Sequence, residues 1–350
     1  MLDQLRLPIV QAPLAGGSST PALAAAVANA GGLGFLAAGY KRAETVQEDL
    51  HALRALTGEP IGVNIFAAPA PLADPALVSG YAAELQAEAE HFGVELGAPR
   101  HDDDDLEAKL ELVTREQVAV VSFTFGCPTR AVLDRLRAAG CEAWVTVTSP
   151  TEALEAERAG ADAVVVQGFE AGGHRGYFAD AGDNEDLGLL ALLRLVRRAL
   201  GLPLVAAGGI ADGASIAAVL AAGAAAQVGT ALMLTPEAGT APAHRAALRS
   251  SDPTALTRAY SGRQARGVVN RFMREHGGAA PRAYPEVHHL TSPIRAAARA
   301  AGNPEALNLF AGQAHSLASE APAADVIARL AADARAAAAA LQDRLGPLMK

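Results

Sequence analysis

The chain has 350 residues, 51% of them hydrophobic but only 4% aromatic, and a formal net charge of −9 at pH 7. That length is ample for a full core in one large domain, or one plus a smaller one, and the acidic balance without a Lys/Arg cluster argues against a nucleic-acid partner. Two cysteines, Cys127 and Cys141, give no disulfide framework and point to a reducing cytoplasm.

The chain opens MLDQLRLPIVQAP, with Asp and Gln where a signal peptide needs a continuous apolar stretch. From there short apolar runs alternate with helical patterns. The predicted strands are Ile9–Ala12, Gly34–Ala37, Gly62–Ile65, Val118–Phe123, Glu142–Val147, Ala163–Val166, Leu204–Ala207 and Ala225–Val228. Helices Pro21–Ala30, Ala43–Leu56, Thr129–Ala139, Pro150–Ala159, Leu187–Leu200 and Gly213–Ala222 lie between them. Thr20-Pro21, Ser149-Pro150 and Asp212 carry helix-start chemistry, and Gly31, Gly140, Gly160, Gly201 and Gly223 are placed to end helices. Eight strand–helix units with largely uncharged strands predict an α/β fold, a closed parallel (β/α)8 TIM barrel; an open doubly wound sheet is the alternative. The uncharged stretch Gly213–Leu234 is long enough to span a bilayer. Gly223, Gln227 and Gly229 break it, so a helix followed by a buried strand explains it better, and no membrane contact is expected.

Two segments depart from the simple alternation. After the third strand the chain passes Pro69, Pro71 and Pro75, a polar helix and the acidic run His101–Glu107, an insertion in a lid position. Four consecutive aspartates cannot all face one ion, so the run reads as a solvated loop or helix start. From Pro236 to about Ala311 the alternation stops, which predicts a small α-helical lid domain over 236–311. The barrel then comprises 1–235 plus about 312–350, with a last helix, Ala324–Leu341, packing back on it.

In a barrel, all strand C-terminal ends open on one face, so residues far apart in sequence share a site there. Gly208-Gly209 and Gly229-Thr230 end the last two strands, where barrels commonly hold a phosphate on backbone N–H groups. Asn64 and Gln167 offer amides to a planar heterocycle, and Gln11, Ala12, Pro13, Gly172, Gly173, Gln227 and Val228 sit at the same ends. No Rossmann or Walker motif is present, so the phosphate fits a flavin mononucleotide (FMN) or a substrate better than a dinucleotide. His174, in the loop QGFEAGGHRG, is the candidate catalyst. Glu170 either orients it or caps the loop. The pair His288-His289 lacks a matching Cys or carboxylate cluster, so no metal is expected. Cys127, before Pro128, reads as a small buried thiol rather than a nucleophile.

The segments Pro8–Lys41, Ser122–Pro128 (SFTFGCP), Gln167–Gly176, Leu202–Gly213, Ala226–Thr240, Tyr260–Phe272 (YSGRQARGVVNRF) and Leu309–Gln313 (LFAGQ) resemble, in order, those of nitronate monooxygenases. The resemblance is closest to the class I group of this FMN-dependent family, once called 2-nitropropane dioxygenases. It implies non-covalent FMN bound by Asn64, Gln167, Gly172, Gly208 or Gly209, and Gln227 to Thr230, with His174 as the catalytic histidine. The implied reaction oxidises alkyl nitronates such as propionate 3-nitronate with O2 to a carbonyl compound and nitrite, through a flavin semiquinone. His174 would be a base for neutral nitroalkanes or would orient the anionic nitronate, and Arg175 would suit an anionic substrate unless it turns to solvent. Phe310 stands where the family pattern leads one to expect Trp. The expected partners are therefore a small-molecule nitronate and O2, with the chain a monomer or homodimer.

An FMN-dependent NAD(P)H reductase of quinones or enoyl-thioesters on the same scaffold is the rival reading; the segments after Pro236 favour the first. A non-enzymatic flavin-binding sensor is the alternative from another class.

Overall fold

The computed structural model describes residues 1–67, 74–182 and 184–349; Pro69 and Pro71 lie outside that set. The first part of the chain reads β1 (Ile9–Gln11), α1 (Pro21–Asn29), β2 (Gly34–Ala37), α2 (Ala43–Arg54), β3 (Ile61–Phe66), α3 (Pro75–Glu84), α4 (Gln86–His91), α5 (Leu106–Arg115), β4 (Val120–Thr124), α6 (Arg130–Ala138), β5 (Glu142–Val147) and α7 (Pro150–Ala159). It continues with β6 (Ala163–Gln167), β7 (Gly173–His174), α8 (Leu189–Ala199), β8 (Leu204–Ala207), α9 (Gly213–Ala221) and β9 (Ala225–Val228).

Eight of these strands pair in the order β1-β9-β8-β6-β5-β4-β3-β2, every pair parallel. A parallel bridge between Val10 and Leu33 joins β1 to the start of β2 and closes the ring, so the closed barrel rather than the open sheet is the architecture. The eight strands are the eight read from the apolar runs, with ends shifted by at most two residues.

Side-chain alternation along each strand sorts the core into two layers. Val10, Phe35, Val120, Trp144, Ala163, Val165 and Val205 fill the barrel's interior. Their neighbours, such as Ile9, Val164, Val166, Ala206 and Val228, face the surrounding helices. Local chemistry sets the helix ends. Thr20, Ser149 and Asp212 each accept a backbone N–H of the first turn, at 3.0, 3.2 and 2.8 Å. Gly31, Gly140, Gly160 and Gly223 terminate helices at positive φ. Gly201 does not: α8 ends as Leu200 turns extended, and the glycine needs no special conformation.

Among the described residues no helix is long and apolar enough to cross a membrane, and Gly213–Leu234 divides into α9, β9 and a short 3-10 turn, Thr230–Leu232.

The remaining elements are α10 (Pro242–Leu248), β10 (Thr254–Thr257), β11 (Ala265–Val268), α11 (Arg271–His276), α12 (Glu286–Ala300) and α13 (Ala323–Leu345). This region is mainly helical, as expected, but it also holds an antiparallel sheet in the order β10-β11-β7. Its third strand is the Gly173-His174 pair from the barrel loop, with His174 opposite Ala265 and Gly173 opposite Arg266. The insertion after β3 joins the same core: Val78, Tyr81, Leu85 and Ala89 pack with Val287, Leu290, Ile294 and Ala298. Tyr81 donates its hydroxyl to Ala259 O at 2.9 Å.

The acidic run is a helix start, exposed at His101, Asp103 and Glu107, but its other aspartates are tied into the fold. Asp104 pairs with fully buried Lys109 at 2.8 Å and accepts the Tyr40 N–H at 2.9 Å. Asp105 accepts the Ala43 N–H at 2.9 Å, while Asp102 meets His289 Nε2 at 2.7 Å. The run thus straps the β2–α2 turn to α12. Finally α13 returns to the barrel through Val326, Ile327 and Leu330; Gly213 permits the approach, since a Cβ there would collide with Asp333 and Ala334.

Candidate active site

The strand ends of the barrel and the smaller region enclose a cavity of about 330 Å³. Ala12, Pro13, Asn64, Gln167, Gly172, Gly173, His174, Gly208, Gly209, Gln227, Gly229 and Thr230 all line it, so residues spread over more than two hundred positions meet in one place. Gln11 and Val228, expected with them, do not. The period of two turns both out of the barrel. Val228 is buried in the helix layer, and the Gln11 amide is consumed by Ser19 Oγ (3.1 Å), Phe35 O (3.0 Å) and the Phe35 N–H (3.3 Å).

At one end the cavity is made of backbone. Gly208 and Gly209 hold φ of 121° and 67°, which only glycine adopts freely. Gly229 precedes the short turn Thr230–Leu232. The N–H groups of Gly209, Ile210, Gly229 and Thr230 have no acceptor among the described residues. A side chain at Gly173 would meet nothing within 4 Å, so that stretch of wall is open to a ligand. Such a cradle of unspent donors fits a phosphate.

In the middle, Asn64 donates through Nδ2 to Ser122 Oγ (2.9 Å) and Thr124 Oγ1 (3.0 Å), which leaves Oδ1 for a ligand's N–H. Gln167 acts differently from the expectation. Its Nε2 donates to His174 O (3.0 Å), and its Oε1 accepts from the Gly176 N–H (2.8 Å) and Arg175 Nη1 (3.1 Å). Its amide therefore shapes the histidine loop.

At the other end the wall is made of side chains. His174 Nε2 lies 2.7 Å from Ser261 Oγ, which is also 3.2 Å from Arg263 O. Burial, reinforced by the charges of Arg263 and Arg295, pushes the His174 imidazole down to about 3, so it is neutral at physiological pH. Its ring is flanked by Phe310 (5.1 Å), Phe125 (5.7 Å) and Tyr284 (6.0 Å). The Arg263 guanidinium lies 4.2 Å over Phe125. Tyr284 and Tyr40 approach hydroxyl to hydroxyl at 3.3 Å, and Tyr40 stacks on His288 at 4.1 Å.

Geometry decides several alternatives that the residues alone leave open. Glu170 caps, its carboxylate accepting the Leu189 N–H at 3.0 and 3.1 Å at the start of α8. Arg175 faces neither substrate nor solvent: fully buried, it donates to Gly168 O (2.6 Å) and Gln167 Oε1. His288 and His289 diverge, the first stacked on Tyr40 at the cavity wall and the second held by Asp102. Cys127 is half-buried with its thiol pushed up to about 11, far from a nucleophile's range.

The family model described as Nitronate monooxygenase matches residues 1–333. The chain belongs to the nitronate monooxygenase family. It is similar to a nitronate monooxygenase of Pseudomonas aeruginosa, 42% identical over 346 residues that cover 95% of this chain and 97% of the relative. Among solved structures it matches a nitroalkane oxidase from Streptomyces ansochromogenes with a TM-score of 0.95 and 52% identity, covering 97% of this chain and 99% of the other. FabK from Thermotoga maritima shares the scaffold more distantly, with a TM-score of 0.77 and 26% identity over 98% of both chains. Family membership makes the chain an oxidoreductase of a flavoenzyme family that oxidises nitronates.

Tyr40, Phe125, Ser261, His288 and Arg295 belong to the cavity wall, although sequence reasoning does not single them out for it. Their signal is weak: on α12, His288, Arg295 and Arg299 recur at helical spacing on a polar stripe that a sequence reads as solvated.

Proposed function

We propose that the chain binds FMN and uses it to oxidise alkyl nitronates, propionate 3-nitronate among them, with O2 to a carbonyl compound and nitrite. The observation that carries this reading is a neutral His174 at the wall of a cavity whose other end offers four unspent backbone N–H groups to a phosphate. Gly209, Ile210, Gly229 and Thr230 would hold that phosphate, and Asn64 Oδ1 would accept from the heterocycle. The bound flavin would supply the electron transfer.

The protein's own part is proton handling and positioning. When the Ser261 hydroxyl donates to Arg263 O, His174 donates from Nε2 to Ser261, and Nδ1 is left as an acceptor toward the cavity. That nitrogen removes the α-proton of a neutral nitroalkane; a nitronate already lacks it and needs only to be held. Phe125, Phe310 and Tyr284 shield the reacting atoms from water.

In this reading residues 1–235 with about 312–350 form the cofactor-binding barrel, and 236–311 a smaller domain that closes the substrate side. The separate apolar core of Val287, Leu290 and Ile294 supports a second domain, and because that core also takes in Val78, Tyr81, Leu85 and Ala89, the insertion after β3 packs with the smaller domain rather than with the barrel.

Anaerobic mixing tests the reading against the reductase scaffold shared with FabK. Propionate 3-nitronate should change the flavin spectrum by one electron, whereas NADPH should leave it unchanged. Two-electron bleaching by NADPH with no response to nitronate would overturn it.

A further inference from the structure

Two aromatic residues hold a positive φ among those described, Tyr40 at 65° and Phe125 at 77°. They follow β2 and β4, and both line the cavity. For a bulky side chain this conformation is a genuine outlier. It persists only where the surroundings over-determine it, and such residues cluster at functional sites.

The surroundings of Tyr40 show what fixes it. Its N–H donates to Asp104 Oδ1 at 2.9 Å, and Asp104 is itself paired with Lys109. Its ring stacks on His288 with centroids 4.1 Å apart and planes 5° apart, and meets Phe66 edge-on at 5.2 Å. A phenylalanine would make all of these contacts, so the hydroxyl is what packing leaves unexplained. That oxygen accepts from the Tyr284 hydroxyl at 3.3 Å, which turns its own hydrogen elsewhere. No group among the described residues accepts that hydrogen. Desolvation at the cavity wall pushes the phenol up to about 12, so it keeps its proton at neutral pH and remains a donor. The Tyr284 ring lies 6.0 Å from that of His174, which places the unspent donor at the reacting end of the cavity.

We propose that Tyr40 is a second catalytic residue, its hydroxyl donating to an oxygen of the substrate's nitro group. The inference rests on the nitronate reading above and adds to it the group that receives the charge created by proton removal. When His174 Nδ1 takes the α-proton, the C–H electron pair becomes the C=N bond of the nitronate and an N=O pair moves onto oxygen. Tyr40 keeps its own proton and stabilises that oxygen. A donor already fixed in place needs no reorganisation at that moment. A neutral nitroalkane gains this bond mainly as charge develops, so the contact appears in kcat. A preformed nitronate arrives with the charge in place, and there the contact appears in KM.

The test compares nitroethane with its preformed nitronate on the flavin-loaded enzyme. Tyr40→Phe keeps the ring and its stacking. It should lower kcat for nitroethane about 10- to 100-fold, and raise KM for ethylnitronate about 3- to 10-fold with kcat changed less than about twofold. An unchanged kcat for nitroethane, or equal kcat losses on both substrates, would overturn the role while leaving nitronate oxidation standing. Turnover of neither substrate by the unaltered enzyme would overturn both. A second measurement needs no turnover. Nitrate offers a planar O–N–O group and has no α-proton to lose. Calorimetry should show it binding the unaltered loaded enzyme, and binding about 3- to 10-fold more weakly in Tyr40→Phe. Binding that is absent, or unaffected by the substitution, would likewise overturn the role.

Discussion

The two ends of the cavity are built by opposite means. At the barrel end, Gly208-Gly209 and Gly229-Thr230 line the cavity with backbone, and the side chains there are small or absent. At the α12 end, His174, Tyr40, Phe125, His288 and Arg295 line it with side chains, held by contacts that span much of the chain. A cofactor common to many enzymes can be gripped by groups every residue possesses. A particular substrate needs groups that only particular residues possess.

If that division is right, substitutions at the two ends should fail in different ways. The largest effect is expected at the side-chain end. His174→Ala should lower kcat/KM for neutral nitroalkanes about 10²- to 10⁴-fold, with flavin content unchanged and a smaller loss on preformed nitronates. Steady-state kinetics with nitroethane and its nitronate checks this. Equal losses on the two would make His174 a positioning group.

Next comes the backbone end. Gly208→Ala puts an L-residue at φ 121° with its Cβ 3.0 Å from Ala171 N, strain of about 1 to 3 kcal/mol. Its signature should be weaker flavin binding by roughly 10- to 100-fold, read by absorbance titration, with turnover of the loaded fraction little altered. Loss of turnover without loss of flavin would break the comparison.

A smaller, sharper effect is expected of Ser261→Ala, which removes the partner that assigns the Nε2 proton. A loss of about tenfold should be confined to neutral nitroalkanes, and their pH profile should shift while that of nitronates does not.

The mildest test is global. Burial holds His174, the cavity-lining His244, whose Nε2 lies 2.9 Å from Phe310 O, and His288 neutral at about 3, 4 and 2. The unfolded chain binds protons below its ordinary 6.5 and the native protein does not, so stability is full above pH 6.5 and falls as pH drops below it. Each histidine adds up to about 1.4 kcal/mol per pH unit to that fall. Chemical denaturation at pH 7, 6 and 5 measures the slope, and a flat profile would show that the side-chain end is wetter than the geometry implies.

How much of this is legible in the chain follows the same division. The strands, the glycine pairs and His174 announce themselves locally, because a buried strand is an apolar run and a ligand-binding turn needs glycine next to it. Gln11 and Val228 are misplaced by one residue of parity, which the strand ends conceal until the inward residue is known. Arg175 looks available because it adjoins His174. Its burial against Gly168 O depends on a fold-back that sequence neighbours do not reveal. Arg295 and His288 are illegible for a different reason: a polar helix face reads the same whether it borders water or a cavity. The β10-β11-β7 sheet escapes because its strands are four, four and two residues long and their partners are non-local.

That small sheet limits how the molecule can be recombined. His174 belongs to the barrel by chain order but takes its backbone register from Ala265, and Gly173 from Arg266. A chimera that exchanged residues 236–311 for those of a relative would import the ruler against which its own proposed catalytic histidine is set. Substrate preference and reactivity are thus inherited together, and engineering one without the other must begin by preserving two residue pairings.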